Sequence, residues 1–213
     1  MGVTERKERE RNLRREDILT AAERVFAGKG IVASTIDDIA REAELGKGTL
    51  YNYFPSKEAI LWHCAIRGMK ILKETILTSL SPENEPLVNL GKMAESFLLF
   101  AKQQKNYFAI FLQVGSGFSI PSGITRQEVK TVFETESPYG LIRKELIRGR
   151  ENGFFRTDIN PDLLAHAVWI QFFSFMQLIS LNSEMVEAFG LDHERLIQTN
   201  LQMIIYGICN EKT

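Results

Sequence analysis

The sequence predicts an all-α protein: an N-terminal three-helix domain built round a helix-turn-helix, followed by a larger helical domain. Two observations carry this. Apolar residues recur at intervals of three and four through most of the 213 residues, and no run alternates apolar with polar as a half-buried strand would. The breaks between these periodic runs hold helix starts and stops, as with Ser137 and Pro138 before one run and Gly153 after it.

The first helix is expected over about 14–27, with Ile18, Ala22, Val25 and Phe26 inward and Gly30 as its stop. Ahead of it Arg6, Lys7, Arg9, Arg11, Arg14 and Arg15 face only Glu8 and Glu10. That cluster reads either as an arm that tracks phosphates or enters a minor groove, or as a solvated helix extension. Ser34 or Thr35 caps a second helix whose stripe is Ile36, Ile39, Ala40 and Ala43, leaving Asp37, Asp38, Arg41 and Glu42 to water. Glu44, Leu45 and Gly46 form the turn, and Leu50 and Phe54, four apart, hold a third helix against the second.

Ser56 caps a fourth helix that runs through Leu61, Ala65, Met69 and Leu72 to about residue 80, where the proline-bearing segment 81–86 breaks it. A fifth carries Leu87, Leu90, Ala94, Phe97, Leu98 and Ala101 on one side. Shorter helices follow at about 107–114 and 127–135, separated by a loop over 115–123. The Ser137 and Pro138 start leads a helix to near Gly153. Asn160 and Pro161 open a long apolar helix over 163–181, and 192–209 forms the last.

The third helix leaves Lys47, Gly48, Thr49, Tyr51, Asn52 and Tyr53 on its outer face. Thr49 and Tyr53 offer hydroxyls to phosphate oxygens, Lys57 adds a charge one turn on, and Gly48 allows close backbone approach. Lys47, Tyr51 and Asn52 remain for base edges, Asn52 as a bidentate partner of adenine and Tyr51 as a surface for a thymine methyl. Spacing alone leaves a second reading open, a helical hairpin with a polar outer face.

The segment resembles the TetR family of bacterial transcriptional regulators. Phe26 and Gly30 match the end of that family's first helix, and Thr35, Ile39, Ala40 and Ala43 match its T-x-x-x-I-A-x-x-A pattern. Residues 47–54 read K-G-T-L-Y-x-Y-F, and 55–61 continue as PSKEAIL. Two positions depart: Glu44 stands at the usual turn glycine and Gly46 at the usual serine. The resemblance implies base-facing roles for Lys47, Gly48, Tyr51 and Asn52 and phosphate-facing roles for Ser34, Thr35, Thr49, Tyr53 and Lys57. It implies residues 1–56 as the arm and DNA-binding domain and 57–213 as a helical ligand-binding and dimerisation domain. It further implies repression, with release from a palindromic operator when a small molecule moves the fourth helix.

The residues beyond 57 fit that picture. The 163–181 helix is apolar on more sides than one neighbour covers, and Leu196, Ile197, Leu201, Ile204, Ile205 and Ile208 give the last helix its own stripe. Both are expected to pair with their copies in a homodimer, setting two reading helices about 34–36 Å apart for successive major grooves. Aromatic residues crowd this half, and such a core accommodates a mostly apolar pocket. Phe97, Phe100, Tyr107, Phe111, Tyr139, His166, Trp169, Phe173 and Gln177 are the expected lining for a hydrophobic effector, with Gln171 a further polar candidate. A protein of the same fold without a small-molecule effector, controlled by a protein partner, is the alternative.

Other classes are disfavoured. A net charge of −1 gives no global basic signature, so any nucleic-acid site is local. His63, His166 and His193 show no paired metal spacing, and no phosphate loop or nucleophile motif appears, so neither a metal, a cofactor nor catalysis is expected. Cys64 and Cys209 read as reduced thiols of a cytoplasmic protein. The charged N-terminus lacks a secretory core, and His166, Gln171, Ser174, Gln177 and Ser180 interrupt the one long apolar run, which favours a buried helix over a membrane span.

Overall fold

The computed structural model describes residues 2–115, 120–181 and 183–210, and these form helices joined by short loops. In chain order they are α1 (Val3–Lys29), α2 (Ile36–Glu42), α3 (Lys47–Tyr51), α4 (Lys57–Ser79), α5 (Pro86–Gln103), α6 (Lys105–Gly115), α7 (Arg126–Glu136), α8 (Tyr139–Glu151), α9 (Pro161–Leu181), α10 (Ser183–Ala188) and α11 (His193–Ile208). The expected caps at Ser56 and Asn160 are in place, and Asp192 caps α11 in the same way. Ser56 Oγ accepts from the Ala59 N–H at 3.2 Å, Asn160 Oδ1 from the Asp162 N–H at 2.8 Å and Asp192 Oδ1 from the Arg195 N–H at 2.7 Å. Three features differ from expectation. α1 starts at Val3 rather than near 14, α3 stops at Tyr51 so that Phe54 follows in a turn, and α10 is an additional short helix. Part of the expected 115–123 loop lies outside the described residues.

Packing divides the chain into two compact units, one of Met1–Ile71 with Phe100–Val132 and the other of Leu72–Leu99 with Phe133–Thr213. This differs from a boundary at 56/57, because α4 gives residues 57–71 to the first unit and 72–79 to the second.

In the first unit Ile18, Ala22, Phe26, Ile39, Leu50, Phe54, Ile60 and Cys64 are buried together with Phe100, Ile110 and Phe111. Burying a side chain such as Phe54 contributes about 1.5–3 kcal/mol. Phe100 and Phe111 stack at 5.5 Å between ring centroids. A Cβ on Gly68 would come within 2.9 Å of Tyr107 Cδ1, so only glycine lets α6 approach α4 this closely. The α1 helix ends at Gly30, whose φ of 83° lies in the left-handed region, and its N–H caps the Phe26 carbonyl at 3.0 Å.

In the second unit α8 and α11 both pack on α9. Leu72, Ile76, Leu146, Phe155, Ala165 and Ile208 lie at its core. The chain returns after α8 through an isolated antiparallel bridge between Phe155 and Cys209, with the Arg156 N–H on the Ile208 carbonyl at 2.9 Å. Asn89, also buried, orders the 81–85 loop by donating to the Ser81 carbonyl at 2.9 Å and accepting from Asn84 at 3.0 Å.

Candidate nucleic-acid interface

The geometry of the two short helices follows from their ends. Thr35 Oγ1 accepts from the Asp38 N–H at 3.2 Å while Asp38 Oδ2 accepts from the Thr35 N–H at 2.9 Å, a reciprocal capping box that starts α2. Lys29 also donates to Asp38, and these bonds, the lysine's foremost, hold the carboxyl well below the usual carboxylate range. Glu44 makes the turn at a φ of 55°, the left-handed conformation that a turn glycine would adopt freely. Gly46 then precedes α3 in extended backbone, with no side-chain cap.

Leu50 and Phe54 are buried, Phe54 against Arg15 of α1 and His63 of α4, which fixes the opposite face of α3 outward. Lys47, Gly48, Thr49, Tyr51 and Asn52 are exposed there, and Tyr53 is half-buried. Lys47 Nζ meets Asp37 at 2.9 Å, which ties the start of α3 to α2 and raises the lysine pKa through that hydrogen bond. Both partners are more than half exposed, so water screens the pair and it opens readily.

Two of the expected phosphate-facing residues are turned to other work. Ser34 is buried and its hydroxyl donates to the Gly30 carbonyl at 2.6 Å. Lys57 Nζ donates to the carbonyls of Ile31 at 3.1 Å, Val32 at 3.4 Å and Ser34 at 3.0 Å, using all three ammonium donors on the α1–α2 loop.

Arg15 holds the far end of α3. One guanidinium nitrogen donates to the Tyr53 carbonyl at 2.9 Å, the other meets His63 Nε2 at 3.2 Å, and the group lies 4.4 Å over the Phe54 ring. An arginine has no acceptor, so His63 Nε2 accepts and the imidazole is neutral. Burial, then the Arg15 charge, pushes the His63 pKa down to about 4.

The N-terminal basic cluster, readable from its spacing as an arm or as a helix extension, is helical. Because α1 is helical from Val3, Lys7, Arg11 and Arg14 fall at i, i+4 and i+7 and line an open groove with Thr49, Asn52 and Tyr53. That spacing was the available signal.

The residues expected around an effector separate into groups. Phe97 and Trp169 line a cavity of about 100 Å³ in the second unit, together with Met93, Phe172, Leu201 and Ile204. Phe173 stacks on Trp169 at 5.7 Å without lining it. Tyr139 and His166, 4.4 Å apart, gather round Phe133 instead, and His166 Nδ1 bonds the Asp162 carbonyl at 2.8 Å. Gln177 is half-buried on α9 away from the lining, and Gln171 is exposed. Phe100, Tyr107 and Phe111 belong to the first unit, where the Tyr107 hydroxyl donates to Glu23 at 3.1 Å.

An exposed reading helix backed by an all-helical frame defines a helix-turn-helix DNA-binding protein. Residues 18–64 match the family model of the bacterial regulatory proteins, tetR family. The chain is also 30% identical over 163 residues to the HTH-type transcriptional repressor DhaR of Mycobacterium sp. strain GP1, covering 71% of this chain and 74% of DhaR. It belongs to the tetR family and is a transcriptional regulator. The fold agrees. Thermus thermophilus FadR, a TetR-family repressor solved with lauroyl-CoA, aligns at a TM-score of 0.70 with 22% identity, over 93% of this chain and 97% of FadR. RolR, solved with resorcinol, aligns at 0.71 with 19% identity over 94% and 90%.

Proposed function

We propose that this regulator is a cytoplasmic homodimeric repressor that occupies a palindromic operator and leaves it when a hydrophobic small molecule enters the second unit. The observation that carries the reading is the outward face of α3, which Leu50 and Phe54 fix by their burial. Lys47, Gly48, Tyr51 and Asn52 face bases. Thr35, Thr49 and Tyr53 face phosphates, while Ser34 and Lys57, both engaged with loop carbonyls, set the height of the α2 start that reaches the backbone. Functionally the division falls at 56/57, with α4 carrying the coupling, since its residues belong to both units.

Dimerisation is supported by carbon left uncovered on α9 and α11. Leu163, Ile170 and Leu178 repeat at seven and eight residues along α9, and Met203 and Tyr206 stand out from α11. Among the described residues α9 is the one helix long and apolar enough to cross a membrane, over Pro161–Ile179. A second copy packed on the α9 and α11 stripes accounts for the same exposed carbon, and an isologous contact suits a palindrome.

The cavity wall carries no charged side chain, which favours an apolar ligand. FadR and RolR were solved with an acyl thioester and a phenol, and both ligands have an apolar portion of the kind this wall would take. At about 100 Å³ the space is smaller than the roughly 150 Å³ that admits benzene, so entry has to widen it. That widening is the work a ligand does on the switch, with a coupling of about 1–3 kcal/mol. The test is fluorescence anisotropy of the protein with duplex DNA from its own upstream region against a scrambled duplex at physiological salt. Preference by about a thousandfold or more supports specific reading, and equal affinity for both duplexes overturns it for that operator.

A further inference from the structure

A second cavity, of about 360 Å³, lies within the first unit behind the end of α3. Neither the outward face of α3 nor the cavity of the second unit uses it. Its walls come from α1, the α3–α4 junction, α4 and the segment leading into α7. They combine apolar groups, chiefly Phe54, Trp62, Ile66 and Ile124, with the Arg15 guanidinium and the His63 ring.

Arg15 is the informative member. Among the described residues no carboxylate pairs with it, and Glu16 acts on it only at longer range. Its bonds to the Tyr53 carbonyl and His63 use two of five N–H donors, and Phe54 covers one face. A half-buried cation with three donors to spare is left beside an aromatic wall. His63, held neutral by its bond to Arg15, adds no second charge. Glu128 also lines the cavity, its carboxyl held ionised by the N–H of Thr125 at 2.7 Å and the Thr125 hydroxyl at 2.8 Å.

We propose that this cavity binds a small aromatic monocarboxylate. The carboxylate takes the spare Arg15 donors in a charge-assisted pair, and the ring fills the space among Trp62, Ile66 and Ile124. A cation is repelled by Arg15 and a dianion by Glu128. The volume exceeds the roughly 150 Å³ that takes benzene, so one substituted ring fits without rearrangement. Because the same guanidinium holds the Tyr53 carbonyl at the end of α3, a carboxylate drawn to its spare donors pulls on the group that sets the reading helix. This regulatory consequence rests on the DNA-binding reading; occupancy of the cavity does not.

Benzoate is the probe, titrated calorimetrically into the full-length protein without DNA, with benzamide as a neutral ligand of the same shape. The expected result is one site per chain, with benzoate at least about tenfold tighter than benzamide, a difference of 1.4 kcal/mol. Arg15→Gln should reduce benzoate to the benzamide level. Val132→Trp, which fills the cavity from α7, should abolish binding of both while circular dichroism reports an intact fold. If that variant does not fold, Ile124→Trp fills the space from the loop side. Equal affinity for the two probes, undiminished binding to the folded filled variant, or no heat at millimolar benzoate overturns the proposal. Duplex preference measured without benzoate tests the DNA reading separately, so either can fail alone.

Discussion

Three side chains show how the reading head spends stability on geometry. Glu44 occupies a left-handed conformation that costs an L-residue about 1–2 kcal/mol, whereas glycine adopts it freely but loses about 0.5–1 kcal/mol of chain entropy on folding. Glu44→Gly should therefore raise stability by up to about 1 kcal/mol, read as a higher urea midpoint at unchanged slope. Lys57 is a clamp: Lys57→Ala removes a charged donor from the part-buried carbonyls of Ile31 and Ser34, while water reaches Val32, and should cost about 1–2 kcal/mol. The salt slope of DNA binding should move by less than the roughly one unit of a direct phosphate contact. His63 gives a pH signature. The fold holds it neutral to about pH 4, against an ordinary value of 6.5, so between those values the unfolded chain binds the extra proton. Its contribution is intact above pH 6.5, falls as pH drops towards 4 and is level below. Stability measured from pH 7 to 4 should decline less steeply in His63→Gln, which keeps an acceptor for Arg15.

At the level of elements, periodicity and caps made most helices legible because each is a local signal: Thr35 with Asp38, Ser56, Asn160 and Asp192 all start helices as their chemistry dictates. Signals that depend on a distant partner were not legible. Phe97, Phe100 and Phe111 announce burial but not with what, and the latter two stack in the first unit while Phe97 meets Phe172 in the second. Ser34 and Lys57 look like surface polar groups until the α1–α2 loop folds over them. The helical extension of α1 was one of two readings because its charged first turns have no apolar stripe, and pairs such as Arg6 with Glu10 at 3.0 Å are what the helix offers instead. That extension aligns Lys7, Arg11 and Arg14 beside Thr49 and Asn52. If DNA backbone runs along this groove, replacing all three cations with glutamine should cut the slope of log K against log salt by up to about 2.7, at roughly 0.9 per phosphate. Base preference should be unchanged, since phosphate contacts carry no sequence. An unaltered slope would return the extension to a solvated helix.

For the molecule as a whole, the deciding quantity is the apolar surface the single chain does not bury. Ile170 is 57% and Tyr206 83% exposed, on two helices that pack against each other. The proposed dimer covers a patch of this kind with a second copy, and two linked heads then bind with the affinity of both. The assembly predicts that heat stability rises with protein concentration, because only the folded dimer is favoured by mass action. Ile170→Glu together with Tyr206→Glu should give a folded monomer by light scattering, since each charge would be buried unpaired at an isologous contact and is repeated by symmetry. The variant should lose its preference for the upstream duplex while keeping weak, salt-sensitive binding to any DNA, because each head retains its phosphate contacts and only their linkage is gone. A double variant that remains dimeric would place the contact elsewhere, and a monomer with full operator affinity would mean that a single head suffices for reading.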